Sequence, residues 1–176
     1  MRPVFPFLAT ILCLLISGCM TTGSSAGYFE SARPAADFLA KRLSANYRGN
    51  KNAAVAVVPP INQEGGVSRL GRDIAESLQA KLFERTKFRL IERTRIESLL
   101  KEVEFSQSSL VSGNSISEFG KLSGADNIVT GSLAAGNAYI QCSLRIVEVE
   151  TGIVLSAAEA HIFRTGEIYT RYLKAR

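Results

Sequence analysis

Residues Tyr139 to Phe163 read YIQCSLRIVEVETGIVLSAAEAHIF, and the way this stretch pairs with itself decides the fold. Ile140, Cys142, Leu144 and Ile146 alternate with Tyr139, Gln141, Ser143, Arg145 and Val147, the period of a strand with one buried face. Glu150-Thr151-Gly152 supplies a three-residue loop with Gly152 in the left-handed position. That loop pairs Val149 with Ile153. It sets Ile146 opposite Ser156, Leu144 opposite Ala158, Cys142 opposite Ala160 and Ile140 opposite Ile162, all small or apolar. A two-residue loop would place Glu159 and His161 against the apolar row, so the register is fixed by burial. His161 then falls opposite Gln141 and beside Glu159 on the polar face, as a solvated or hydrogen-bonded strand histidine. Cys142 points into the core.

Upstream of this hairpin the elements alternate. Pro34 to Tyr47 carries Phe38, Leu39, Leu43 and Tyr47 at helical spacing, with Pro34 suited to a first turn. Ala53 to Val58, AAVAVV, is a short unbroken apolar run closed by Pro59-Pro60, which suits a strand buried on both faces. Ser68 is placed to cap a helix whose Leu70, Ile74, Leu78 and Leu82 sit four apart. Phe88 to Glu92 reads as a second strand. Thr94 to Glu97 and Ser115 to Glu118 have capping-box spacing before two further helices, the second stopping at Gly124. Asn127 to Ser132 is a third strand. The order predicts an α/β fold, a mixed sheet of about five strands with three to four helices and a closing antiparallel hairpin. Its first two strands run parallel through a crossover.

The 176 residues fit one domain, with 46% hydrophobic and 21% charged residues. One histidine and no tryptophan exclude zinc sites built on several histidines and most histidine-based catalysis. No metal site and no cofactor is expected. The net charge of +5 permits nucleic acid, but also anionic lipid or lipopolysaccharide.

The first residues assign the compartment. Arg2 and the amino terminus precede an apolar run from Val4 to Ile16, too short for a bilayer, which needs about 20 residues, and of signal-peptide length. Ile16-Ser17-Gly18-Cys19 resembles a bacterial lipobox, in which small residues admit the chain to a peptidase and the thiol of Cys19 takes the lipid. The expected organisation is a signal peptide over 1–18, a lipidated Cys19 with a flexible tether over 19–32, and one periplasmic domain over 33–176. Met20 lacks the Asp of inner-membrane retention, which favours the periplasmic face of the outer membrane. Export excludes nucleic acid as a partner.

Candidate partner-binding residues are few. Arg85, Lys87 and Arg89 lie in the densest basic stretch, open to an acidic partner or simply guarding a sheet edge. Phe105 and Leu110 lie in the polar segment Glu104 to Asn114, long enough for a functional loop. Gly120 to Gly124 lacks Walker spacing and is set aside as a phosphate loop.

From Ala54 to Ile162 the chain resembles the CsgG family of bacterial envelope lipoproteins, including its flagellar FlgO branch. The resemblance rests on VAVVPP (55–60), LGRDIAESLQAKL (70–82), LIERTRIESLLKEVEFSQSSL (90–110), GADNIVTGSL (124–133) and SLRIVEVETGIVLSA (143–157). It implies a non-enzymatic outer-membrane lipoprotein with a periplasmic α/β domain, partnered by copies of itself in a ring or by another envelope protein. The roles it implies are an assembly or scaffold subunit in curli-type secretion or a flagellar outer structure. Alternatively, it implies an activator that binds a peptidoglycan synthase. Two departures stand out. Pro60 follows Pro59 where the family often has an aromatic residue. Only Leu133 to Asn137 separates the third strand from the fourth, where the curli pore carries membrane hairpins.

Overall fold

A computed structural model of the chain describes residues 27–102 and 113–173. Among them, six strands and five helices follow in the order β1 (Gly27–Phe29), α1 (Ala32–Asn46), β2 (Ala54–Val57), α2 (Arg69–Arg85), β3 (Arg89–Leu90), α3 (Arg93–Glu102), α4 (Gly113–Ser123), β4 (Asn127–Ala135), β5 (Tyr139–Glu148), β6 (Val154–Phe163) and α5 (Gly166–Leu173). The strands form one mixed sheet in the spatial order β1-β6-β5-β4-β2-β3. The α/β class is as expected, with one strand and one helix beyond the expected numbers.

The hairpin has the expected register over most of its length. Ile140 pairs with Ile162, Cys142 with Ala160, Leu144 with Ala158 and Ile146 with Ser156, and Gln141 faces His161. Nearer the loop the register slips at a bulge, and Val147 pairs with Val154. The expected Val149–Ile153 pair is not formed. Val149 leaves the hairpin, donates to the Asp126 carbonyl at 2.9 Å and is buried beside Ala125 and Phe119. The bulge lets one strand turn off its partner to fill a second core. Gly152 has φ +72°, as the loop requires.

β2 is buried at every position and runs parallel to β3 and to β4. Its side chains alternate between two apolar clusters. Val55 and Val57 join the larger one, built on α1, α2, α5 and the inner rows of β5 and β6. Ala56 and Val58 join the smaller one with Ile96, Phe119, Ile128 and Val147, roofed by α3 and α4. Leu70, Ile74, Leu78 and Leu82 of α2 are fully buried, and the Ser68 hydroxyl accepts from Gly71 N at 3.1 Å as the expected cap.

Four local expectations need correction. The second strand, read over Phe88 to Glu92, is two residues long, pairing with Ala54 and Val55 of β2 before the chain turns into α3 at Arg93. The capping box at Thr94 is displaced. α3 begins at Arg93, the Glu92 carboxylate accepts from Arg95 N at 3.3 Å and from the Thr94 hydroxyl, and Glu97 pairs instead with Arg93 at 2.8 Å. A carboxylate at a helix entrance also meets the positive end of the dipole, so Glu92 outcompetes the threonine. The hydrogen bonds from Thr94 and Arg95 hold the Glu92 carboxyl below its usual range. α4 likewise starts before Ser115, at Gly113. Its end is as read: Gly124 has φ +72°, with Ala125 N bonded to the Gly120 carbonyl and Gly124 N to that of Lys121. Finally, the tether expected over 19–32 gives up its last part to β1, which pairs in parallel with β6 through Gly27–Ala160, Tyr28–His161 and Phe29–Ile162.

Candidate functional site

The two faces of this sheet are covered unequally. α1, α2 and α5 lie on one face, whereas α3 and α4 pack on β2 and β4 of the other. The outer rows of β5, β6 and β1 are left open among the described residues. They carry Tyr139, Gln141, Ser143 and Arg145, then Ala157, Glu159, His161 and Phe163, then Tyr28. Strand alternation alone puts them on one surface.

This surface has two parts. Toward the hairpin loop is a concavity of about 320 Å³ floored by Gly131, Ser132, Ser143 and Ala157 and rimmed by Arg145 and Glu159. Its floor is recessed because Ser143 and Ala157 have small side chains and Gly131 contributes only backbone. The Glu159 carboxylate organises the polar centre. One oxygen accepts from Gln141 Nε2 at 2.8 Å and from Ser143 Oγ at 3.2 Å, and the other lies 3.5 Å from His161 Nε2. Toward the β4–β5 turn is an aromatic cluster. Tyr28 stacks on the His161 ring at 4.9 Å, Tyr139 meets the same ring edge-on at 4.4 Å, and Phe163 lies 6.0 Å from Tyr28. Tyr28 and Phe163 are 57% and 44% exposed, large values for aromatic neighbours.

Of the two expectations for His161, solvated or hydrogen-bonded, the solvated one is not met. The residue is only 8% exposed, because β1 brings Tyr28 down over it. Its Nδ1 is buried without a hydrogen-bond partner. Chemistry is not what the arrangement favours. Ser143, Glu159 and His161 form a chain, but the carboxylate stands between hydroxyl and imidazole. The imidazole cannot take the serine proton in that order, whereas a hydrolytic triad needs the histidine in the middle. Cys142 is a core thiol as expected, wholly buried, and burial pushes it up to about 12. Among the described residues no group of three or more His, Cys, Asp or Glu side chains could hold a metal ion.

The basic residues read from sequence lie elsewhere and do not converge into a free patch. The Arg85 guanidinium donates to Asp37 at 2.8 Å, tying α2 to α1 and holding the Asp37 carboxyl below its usual range against the opposing effect of burial. Arg89 sits on the edge strand, donates to the Asn52 carbonyl at 3.2 Å and lies 3.6 Å from Asp126. Lys87 is exposed between them. Arg89 thus lies on an edge strand of the sheet, and Arg85 on the neighbouring helix α2. Phe105, Leu110 and Cys19 lie outside the described residues.

The aromatic cluster was the part missed from sequence. The hairpin register does set Tyr139 opposite Phe163. Nothing in the Gly/Ser/Thr-rich approach marks Tyr28 as a strand residue.

The sequence model for the curli production assembly/transport component CsgG matches residues 47–137. The chain belongs to the CsgG family. The match runs from just after α1 into the β4–β5 turn, so the β5–β6 hairpin and the β1 edge, which carry the aromatic cluster, lie outside it. Comparison with curated protein sequences gives no match. Among solved structures, the LpoB C-terminal domain from Salmonella enterica superposes with a TM-score of 0.61 at 15% identity, covering 76% of this chain and 98% of that one. The NMR structure of E. coli LpoB gives 0.61 at 14% identity, over 73% of this chain and 66% of that one. At such identities the likeness is one of fold. Among the described residues, no helix of this CsgG-family chain is long and apolar enough to cross a membrane.

Proposed function

We propose that this CsgG-family chain is a lipid-anchored envelope protein of the outer membrane that acts by binding. In this reading it is a non-enzymatic assembly or scaffold subunit in envelope biogenesis, of the curli-secretion or flagellar kind, without a pore of its own. One observation carries it. Only residues 136–138 join β4 to β5, and Gly136 N bonds the Tyr139 carbonyl at 2.8 Å to close the turn. A spanning β-hairpin needs two strands of about 9–11 residues each, and no such length exists at this point. After Phe163 the chain enters α5, which buries Ile168 and Tyr172 against the core. Attachment is then left to the lipid on Cys19.

The processed, acylated protein in planar bilayers should give no discrete conductance, and reproducible single-channel steps would refute the reading. Light scattering on the same protein in detergent tests the scaffold role, which requires a defined oligomer. A second reading, an activator docking on a peptidoglycan synthase, is favoured by the compact concavity beside Glu159, which suits one projecting element of one partner. A monomer that raises the rate of a purified synthase would select it.

A further inference from the structure

We propose that the aromatic end of the open sheet face, Tyr28, Tyr139 and Phe163, rests in the lipid–water interface of the membrane that holds Cys19. The inference builds on the lipidation of Cys19 and adds a second contact to it.

Chain length carries the argument. Nine residues separate Cys19 from Tyr28, so the two Cα atoms are at most about 32 Å apart. A domain of about 150 residues has a radius of gyration of roughly 15 Å, hence a diameter of about 38 Å. The leash is shorter than the body it holds. Whichever surface surrounds its point of entry is thus kept near the head groups, and the point of entry is β1, whose second residue is Tyr28. That surface has the composition suited to an interface. Tyrosine rings, with one wet end and one apolar face, settle at head-group level, and a phenylalanine beside them adds apolar surface to bury at the boundary.

The cluster lies at one end of the sheet, where Tyr139 opens β5 and Phe163 ends β6. Arg164 follows Phe163, its guanidinium stacked 3.7 Å over Tyr169 of α5 and donating to the Gly136 carbonyl at 3.0 Å, so a fixed cation is held at the same end of the sheet as the rings. The carboxylate of this face, Glu159, is engaged by Gln141, Ser143 and His161. A further large exposed ring, Phe83, is 71% exposed on α2, on the opposite layer and toward the other sheet edge. Nothing ties it to the leash, and it serves as the control.

The chain contains no tryptophan, so each substitution installs a single indole, which excitation at the red edge of the band reads apart from the tyrosines. The acylated full protein carrying Tyr28→Trp, Phe163→Trp or Phe83→Trp is reconstituted into vesicles of phosphatidylethanolamine and phosphatidylglycerol containing phosphatidylcholine brominated on its acyl chains. Flotation reports the anchor, and quenching reports the patch. With all three variants floating, Tyr28→Trp and Phe163→Trp should each lose about half their emission, as expected for rings seated some 5–10 Å into the boundary. Phe83→Trp should be unaffected, and adding Phe163→Ser should weaken the quenching of Tyr28→Trp. Floating protein whose tryptophans at 28 and 163 are no more quenched than that at 83 overturns this inference and leaves the anchor standing. Protein that fails to float overturns both.

Discussion

The floor of the concavity offers the sharpest perturbation. Gly131 pairs with Leu144 in the β4–β5 ladder. A Cβ added there would overlap the Ser143 carbonyl oxygen and lie 2.8 Å from Leu144 Cδ2 and 3.0 Å from Leu144 Cα. Ordinary contact between heavy atoms lies near 3.5 Å or beyond. The leucine tip can rotate, but the carbonyl and Cα belong to the backbone of a central strand. Relief requires β4 and β5 to part locally, at the expense of ladder bonds around the Thr130–Arg145 and Ser132–Ser143 pairs. Two such bonds at about 1 kcal/mol each, added to overpacking strain of about 1–3 kcal/mol, put Gly131→Ala near 3–5 kcal/mol of destabilisation. For a domain of this size that is a fall in Tm of roughly 6–20 °C. Thermal unfolding followed by far-UV circular dichroism measures it. The matched control is Gly166→Ala at the start of α5, where an added Cβ meets nothing within 4 Å and the variant should be neutral or stabilised by up to about 1 kcal/mol. A Gly131→Ala variant melting within about 2 °C of the parent would show that the two strands are not so closely set, and the shape of the concavity would have to be redrawn.

Gly124 tests conformation without crowding. An added Cβ has open space but φ is +72°, so Gly124→Ala should cost about 1–2 kcal/mol in chemical denaturation, and Gly124→Asn less. Cys142 should resist thiol reagents until the protein unfolds. Because its folded pKa is raised from 9.0 to about 12, the folded state keeps a proton the unfolded chain loses, and stability is full below pH 9 and falls between pH 9 and 12. Tyr47 and Tyr172, also raised by burial, add in the same sense above pH 10. Urea unfolding across that range should show a shallower decline for Cys142→Ala. Cys19→Ala should leave an unprocessed precursor that takes up no clickable fatty acid, and equal labelling of parent and variant would refute the lipobox.

Much of the fold could be read because its constraints are local or strictly periodic. The hairpin register follows from one row of apolar residues, and it holds from Ile140 to Ile146. It fails at Val149 because that residue answers to a second core, made with Phe119 and Ala125, which no pattern within the hairpin reveals. Helix entrances slipped by one or two residues for a similar reason. Thr94 and Glu97 have the spacing of a box, yet Glu92 just upstream competes for the same amides and wins on charge.

The candidate site was less legible, since it is made by an absence and an addition. The absence, among the described residues, is of a helix layer over the outer face of β5 and β6, which follows from where α3 and α4 pack and not from the composition of the strands. Gln141, Ser143 and Glu159 would read the same on a covered or an open face. The addition is β1, three residues with no apolar alternation of their own, recruited by the free edge of β6. An unpaired parallel edge offers amides and carbonyls to whatever chain is near. The nearest chain is the end of the leash, joined to α1 by only Glu30 and Ser31. Pairing it covers His161 with Tyr28 and places an aromatic ring at the point where the chain enters the domain. Of the basic residues, the more conspicuous signal in the sequence, two are by contrast already paired: Arg85 with Asp37 and Arg89 with Asp126. Charge density in a sequence does not distinguish a solvated cation from a partnered one. Sheet topology does, because it sets β3 beside β2 and within reach of Asp126, and leaves the opposite edge to the aromatic residues.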